Sequence, residues 1–117
     1  MDYVAPVEAI TFALNEIADL QADAERGACG DYAAELLASI LDEAGRFARE
    51  KLAPINQEGD KIGAQLKEGR VHLPAGWAEI YQEWIAAGWN GVDLPAEWGG
   101  MGLPTRIATA AMEIWTS

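Results

Sequence analysis

The sequence has little of what most metal and nucleophilic sites are built from. Its 117 residues include one cysteine, Cys29, and one histidine, His72. One cysteine cannot form an internal disulfide, and one histidine leaves almost no material for a zinc site or a Ser-His-Asp triad. Cys29 lies between Gly27 and Gly30 without a second thiol nearby, which favours an incidental thiol over a reactive one. We therefore predict no metal site in this chain.

Basic residues and long apolar runs are also scarce. Eight Lys and Arg stand against nineteen Asp and Glu, for a formal net charge of −11, and the basic residues are scattered. A nucleic-acid binder needs a cationic face, so nucleic acid and anionic membrane surfaces are poor partners, and the acidity indicates solubility. Charge or glycine interrupts every apolar stretch well short of the roughly 20 residues that span a bilayer. The N-terminus carries an acid instead of a basic region, so we expect a cytoplasmic protein with no membrane span.

What the sequence does contain is apolar and helical in pattern. Half of the residues are hydrophobic and five are tryptophan, which suits one folded domain. A first helix is predicted from Pro6 to Leu20, because Val7, Ile10, Leu14 and Ile17 recur at helical spacing. The stretch 23–30 should end it.

The second helix has the clearest pattern. Asp31 is its predicted N-cap, and Pro54 should stop it. From Ile55 to Gly76 the periodicity breaks down, and only 71–73 look extended. The apolar stripe of this second helix comprises Leu36, Leu37, Ile40, Leu41, Ala44, Phe47 and Ala48.

Two further helices are predicted, from about Trp77 to Ala87 and from Thr105 onward. Gly88 fits the left-handed position after the third helix. The last helix stops at Ser117 in mid-pattern, which suggests that the natural chain continues. We predict an all-α fold, an incomplete bundle of about four helices with a long irregular connection.

Candidate chemistry in this chain is weak. The acidic pairs Asp42-Glu43 and Glu79 with Glu83 are typical of solvated helix faces, and general acid catalysis would require shifted pKa values. The turn formed by Pro95, Gly99, Gly100 and Gly102 matches neither a dinucleotide fingerprint nor a P-loop, so a tight turn in which two backbones approach is favoured over phosphate binding. Four tryptophans could line a ligand site, although core and interface packing is the commoner use. They are Trp77, Trp84, Trp89 and Trp98.

Five blocks of residues follow one another along the chain. They comprise Tyr3, Ala5, Pro6, Phe12, Leu14 and Glu16; Ala53, Pro54, Asn56, Gly59, Asp60 and Gly63; Gly69, Val71, Pro74, Gly76 and Tyr81; Gly88, Trp89 and Gly91; and Pro95, Glu97, Gly99, Gly100, Gly102, Leu103 and Pro104. In this order they resemble the acyl-CoA dehydrogenase superfamily, in the bacterial branch with an N-terminal extension that includes methylthiopropionyl-CoA dehydrogenase-like enzymes. Ala9 and Met101 depart from the common pattern.

The resemblance implies a parent enzyme with an N-terminal helical domain, a middle β-domain and a C-terminal bundle. FAD lies mainly between the last two, and a glutamate of the C-terminal bundle removes the α-proton of the acyl-CoA thioester while hydride passes to the flavin. An electron-transfer flavoprotein usually reoxidises that flavin. On this reading residues 1–30 form an extension helix and turn, and residues 31–117 form the N-terminal helical domain, truncated at its end.

No family catalytic or flavin-binding residue maps onto this chain, so the chain alone should be inactive and bind no FAD. The resemblance offers Ile107, Ala111, Ile114 and Trp115 as candidates for facing the acyl tail, with core packing as the alternative. Exposed apolar surface should make the chain a homo-oligomer through its Trp-bearing helices. Two rival readings are a non-catalytic helical interaction module with a Trp-rich surface and a related acyl-CoA oxidase-like or nitroalkane oxidase-like flavoprotein.

Overall fold

A computed structural model describes residues 2–29 and 32–117. Six α-helices, two π-helical segments, two 3-10 turns and one β-hairpin make up this part of the chain, which confirms a predominantly helical fold. The α-helices are α1 Val7–Phe12, α2 Leu20–Glu25, α3 Leu36–Phe47, α4 Ala53–Ile62, α5 Trp77–Ala86 and α6 Thr105–Thr116. The antiparallel strands are β1 Gln65–Lys67 and β2 Arg70–His72, and the π-helical segments are Ala13–Ile17 and Ala48–Leu52.

The predicted first helix is helical as far as Ile17, but its second half is not α-helical. After α1 the backbone widens into the π-helical segment Ala13–Ile17, and Asp19 then takes a left-handed conformation with φ of 50°. A π turn holds more residues than an α turn, so it rotates the following side chains. Ile17, expected on the buried stripe, is 76% exposed as a result. The carboxylate of Asp19 caps α2 by accepting from the Ala22 N–H, so helix resumes where the sequence predicted a breaker.

Pro54 does not stop the second helix. Helical backbone runs without interruption from Leu36 to Ile62, which is about 40 Å at the usual rise per residue. Proline removes an N–H and crowds the carbonyl one turn earlier, which breaks a regular α-helix. Here the π-helical segment Ala48–Leu52 precedes it, and Ala53 donates to the Ala48 carbonyl five residues back. The wider turn lets the helix continue through Pro54.

The predicted irregular connection is therefore largely ordered. Residues 55–62 belong to α4, and the hairpin follows, with Leu66 paired to Val71 and Lys67 paired to Arg70. The helices α5 and α6 begin where they were predicted. Asp31, the predicted N-cap of α3, lies outside the described residues.

The core lies where α1, α3 and α6 meet. It consists of small and branched side chains, and the molecule measures 54 × 34 × 18 Å. Since one helix with its side chains is about 10 Å across, the fold is roughly two helices thick and much of its apolar surface stays exposed. The buried side chains include Ile10, Leu14, Leu20, Leu37, Leu41, Ala44, Ala48, Ile107, Ala110, Ala111 and Ile114.

Residues 2–29 are tied to both ends of α6. At its C-terminal end the Tyr3 hydroxyl donates to the Ile114 carbonyl at 2.8 Å and lies 2.8 Å from the Ser117 hydroxyl. At its N-terminal end Arg106 pairs with Asp23 and donates to the Ala18 carbonyl. The N-terminal segment is thus a strap packed along the last helix. Among the described residues, no helix is long and apolar enough to cross a bilayer.

Candidate functional site

The Gly-rich turn between α5 and α6 folds back on itself through backbone hydrogen bonds. Gly88 ends α5 with φ of 83°, as predicted. The Met101 N–H donates to the Gly91 carbonyl at 2.8 Å, and the Leu103 N–H donates to the Val92 carbonyl at 2.9 Å. These bonds hold the two halves of the turn side by side. Val92 is buried beneath them, so the turn is anchored to the core.

Glycine is required in this turn for two different reasons. Gly99 and Gly102 have φ of 84° and 65°, in the left-handed region that other residues avoid. Gly100 does not, but a Cβ there would lie 2.1 Å from the Leu94 carbonyl oxygen. Pro95 closes the turn by accepting from the Gly100 N–H at 3.1 Å. The backbone approach at Gly100 therefore has no room for any side chain.

The turn has no basic side chain available for a phosphate. Arg106, the nearest arginine in the sequence, is held by Asp23 and the Ala18 carbonyl. The geometry therefore favours a structural turn over an anion site.

An aromatic cluster lies beside the turn and joins α5 to α6. Trp115 is at its centre, and its indole Nε1 donates to the Ala44 carbonyl of α3 at 3.2 Å. Trp84 and Trp89 contact its ring edge-to-face, with centroids 5.5 Å and 5.0 Å away. Tyr81 stacks on Trp84 at 5.9 Å. Since this is a favoured geometry for aromatic pairs, these tryptophans stabilise helix packing.

The four side chains predicted to face an acyl tail lie in two different surroundings. Ile107, Ala111 and Ile114 are buried in the core, where α6 packs on α3. Trp115 is half-buried in the aromatic cluster. The large apolar side chains that do reach the surface near the turn are Leu94, Trp98 and Met101, and Trp98 is 79% exposed.

One member of each acidic pair weighed in the sequence forms a surface ion pair. Glu43 lies 2.6 Å from Arg46, whose hydrogen bond holds the pKa of that carboxyl below its usual range. Glu83 lies 2.7 Å from Lys51, which links α5 to the π-helical segment before α4. A general acid at neutral pH needs a raised pKa, so the lowered value at Glu43 points away from catalysis. No group of side chains that could hold a metal ion occurs in ranges 2–29 and 32–117.

Sequence reasoning missed the long-range partners of the strap. The sequence pattern places Asp23 in a stretch that should end the first helix, and it indicates no partner for Arg106. Their pairing spans more than eighty residues, and no local pattern signals it. Tyr3 was identified only as part of a motif, and its bond to Ile114 required the tertiary structure.

Comparison with known proteins is consistent with this geometry. The family model described as acyl-CoA dehydrogenase, N-terminal domain, matches residues 34–116, which include α3 to α6 and the Gly-rich turn. The chain is 38% identical to the 3-methylmercaptopropionyl-CoA dehydrogenase of Ruegeria pomeroyi over all 117 residues. That match covers 20% of the relative's length.

Proposed function

Because this chain belongs to the acyl-CoA dehydrogenase family through its N-terminal domain, we propose that it forms the helical N-terminal domain of a FAD-dependent acyl-CoA dehydrogenase. The observation that carries the proposal is the match over 34–116, which extends from the long helix through the Gly-rich turn into α6. The reaction proposed for the parent protein is α,β-dehydrogenation of an acyl-CoA thioester. The similarity to a 3-methylmercaptopropionyl-CoA dehydrogenase supports a short thioether-bearing acyl group as the first substrate to test.

The role proposed for this domain is to pack beside the acyl tail and exclude water. The rigid turn and α6 would supply that wall. Leu94, Trp98 and Met101 leave apolar surface uncovered beside the turn, as expected of a surface that contacts another domain or an apolar ligand. On this proposal, the buried side chains Ile107, Ala111 and Ile114 contribute mainly by fixing the position of α6. Trp115 is the one candidate of α6 whose side chain is not fully buried.

FAD does not fit the grooves of the described residues. The larger groove is lined by Glu16, Asp19 and Glu25. The smaller one is lined by three glutamates and by Arg46 and Lys51, which are already paired with those glutamates. Carboxylates would repel the diphosphate of the cofactor. We therefore place FAD and the catalytic glutamate in the rest of the parent protein, where FAD would supply the hydride acceptor.

The partners proposed for the parent are acyl-CoA and an electron-transfer flavoprotein, and the cytoplasm stays the predicted location. The rival reading is a helical interaction module without an enzyme, which the exposure of Trp98 favours. An oxidase-like parent would share the domain and differ in its electron acceptor.

A chimera tests the proposal. The 117 residues would replace the matching N-terminal fifth of the Ruegeria pomeroyi enzyme. We expect the chimera to bind FAD and to oxidise 3-methylmercaptopropionyl-CoA with an artificial electron acceptor. The control protein lacks that N-terminal fifth altogether and should lose activity.

The outcomes separate the readings. A chimera that binds FAD and folds, yet oxidises no acyl-CoA of any chain length, would contradict a role in dehydrogenation and favour the interaction module. The oxidase-like reading is tested on the parent protein, whose reduced flavin would then be reoxidised by dioxygen with release of hydrogen peroxide.

A further inference from the structure

The strap leaves the regular helical path just before it reaches α6. The π-helical segment ends with the Ala18 N–H donating to the Ala13 carbonyl, and the next residue, Asp19, has φ of 50°. Among the described residues other than glycine, positive φ occurs only at Asp19 and Glu68. Glu68 lies in the two-residue turn of the β-hairpin, a kind of turn that requires positive φ. Asp19 lies in no such turn, so its left-handed backbone has another reason.

The break at Asp19 releases a backbone acceptor. In a continuous α-helix the Ala22 N–H would donate to the Ala18 carbonyl, four residues back. Here the Ala22 N–H donates to the Asp19 carboxylate instead. The Ala18 carbonyl accepts from the Arg106 guanidinium. The distorted backbone of the strap thus presents a carbonyl to the first turn of α6.

Arg106 occupies the end of α6 where a cation is least favoured. The N–H groups of a helix N-terminus carry partial positive charge, and the first turn of α6 contains no acidic residue to offset it. Asp23 of the strap supplies the negative charge. Its side chain is 17% exposed, the lowest value among the ion pairs of the described residues, so salt screens this pair less than the others. Arg106, Asp23 and the Ala18 carbonyl together form a latch between the strap and α6.

The latch adjoins the Gly-rich turn. Ile107, next to Arg106, is fully buried, and its N–H donates to the Pro104 carbonyl at 2.9 Å. One residue earlier, the Leu103 N–H donates to the Val92 carbonyl within the turn. The match with the family model begins at residue 34, so both acceptors of the latch lie outside the matched range. The strap therefore adds to the matched domain a contact that holds the end of its Gly-rich turn.

We propose that Arg106 is a positioning residue for the acyl site, a role that rests on the proposed function. Held by the strap, it fixes the first turn of α6 and with it the Gly-rich turn, the wall beside which the acyl tail packs. It acts through that wall and not by contact with the substrate. Release of the latch lets the wall move away from the tail, while the reacting atoms stay in place in the rest of the parent protein. The KM for acyl-CoA should therefore change and kcat should not.

Arg106→Gln and Asp23→Ala in the parent protein test this role. Each should raise the KM for 3-methylmercaptopropionyl-CoA about threefold to tenfold, the range expected when the loss of one hydrogen bond is transmitted in full to binding. The change in kcat should stay below about twofold. The double variant should raise KM no further than Arg106→Gln does, because both residues act through one contact.

Arg26→Gln is the matched control. Arg26 pairs with the same Asp23 carboxylate, but from within the strap, so its loss should leave KM at the wild-type value. A second measurement uses hydrogen exchange in the 117-residue chain. Exchange at residues 99–108 should quicken in Arg106→Gln and stay unchanged in Arg26→Gln. Circular dichroism and melting curves would establish that each variant folds.

The results distinguish this role from simple stabilisation. An active parent in which Arg106→Gln keeps the wild-type KM overturns the proposal even if the melting temperature falls, because a purely stabilising ion pair has that effect. Unchanged exchange at residues 99–108 overturns it as well, and so does an equal rise of KM in Arg26→Gln. A parent that binds FAD and oxidises no acyl-CoA contradicts the proposed function itself, and hydrogen exchange then decides separately whether the latch holds the turn.

Discussion

Gly100 is the residue of the Gly-rich turn where a side chain has no space at all. The sequence predicts a tight turn in which two backbones approach, whereas Gly99 and Gly102 are required for their positive φ. At Gly100 the reason is contact, because its Cβ would lie 2.1 Å from the Leu94 oxygen. The two requirements are separable by mutation.

We predict that Gly100→Ala and Gly100→Val both lower the melting temperature. Either Cβ forces the backbone of residues 94–100 apart, and overpacking of this kind costs about 1–3 kcal/mol. Thermal melts with and without CoA measure the effect. An unchanged melting temperature without CoA, together with the loss of a CoA-dependent rise, would support phosphate binding instead. Gly102→Ala is a useful comparison, because its Cβ would meet nothing within 4 Å and tests backbone strain alone.

Tyr32 is a residue whose replacement should stabilise the fold, in contrast to Gly100. Its hydroxyl is buried without a described partner, and burial, with smaller contributions from Cys29 and Glu35, raises the pKa of its phenol. We expect Tyr32→Phe to raise the free energy of unfolding of the dilute monomer by up to about 1–3 kcal/mol, the cost of an unsatisfied buried polar group. Melting curves at low protein concentration check this. A clear loss of stability would show that the hydroxyl has a partner in the folded monomer.

The difference in stability between the wild type and Tyr32→Phe should depend on pH. Because the folded pKa of Tyr32 is raised, the unfolded chain loses its phenolic proton first as pH rises. The wild-type stability contributed by the neutral phenol is complete below about pH 10 and declines above it. The difference in stability between Tyr32→Phe and wild type should therefore widen in alkaline solution. A constant difference up to pH about 11 would argue against a raised pKa.

At the scale of elements, the strap of residues 2–29 holds α6 at both ends. Tyr3→Phe removes the hydrogen bonds to Ile114 and Ser117, and we expect a loss of about 0.5–1.5 kcal/mol. Hydrogen exchange should quicken at the last turn of α6 more than in α3. Tyr81→Phe is the control, since its ring is exposed and its hydroxyl makes no hydrogen bond within the described ranges. Equal exchange in all three proteins would show that the strap does not stabilise that end.

Helices in this fold change their geometry close to two residues, of which only Pro54 is a predicted breaker. Pro54 and Asp19 are both adjacent to π-helical segments, and the chain stays helical through the first and restarts after the second. Pattern reasoning treats proline as a stop because it assumes α geometry on both sides. One wider turn removes that assumption, and the π-helical segment Ala48–Leu52 that provides it packs against α6.

At the scale of the whole molecule, a flat body of 54 × 34 × 18 Å buries few side chains completely. Carboxylates outnumber cations in both of its described grooves, and neither suits a flavin diphosphate. We predict that the purified chain is colourless and binds FAD negligibly. Fluorescence titration with FAD checks this, and micromolar binding near one flavin per chain would refute it.

The sequence by itself determined the family, the helical class and the first residues of the last two helices. Those features rest on local signals, namely ordered Gly, Pro and Trp blocks, apolar periodicity, and glycine at the left-handed position of Gly88. Local signals survive in any compact fold, which is why they could be read without coordinates.

Tertiary structure alone decided the path through Pro54, the exposure of Ile17 and the partners of Tyr3 and Arg106. It also decided that Ile107, Ala111 and Ile114 pack in the core, and it brought Gly100 against Leu94. Each of these depends on contacts between residues far apart in the chain or on a helical turn whose width is set by its neighbours. Periodicity and propensity describe one segment at a time, so they carry no information about which distant surface will meet it.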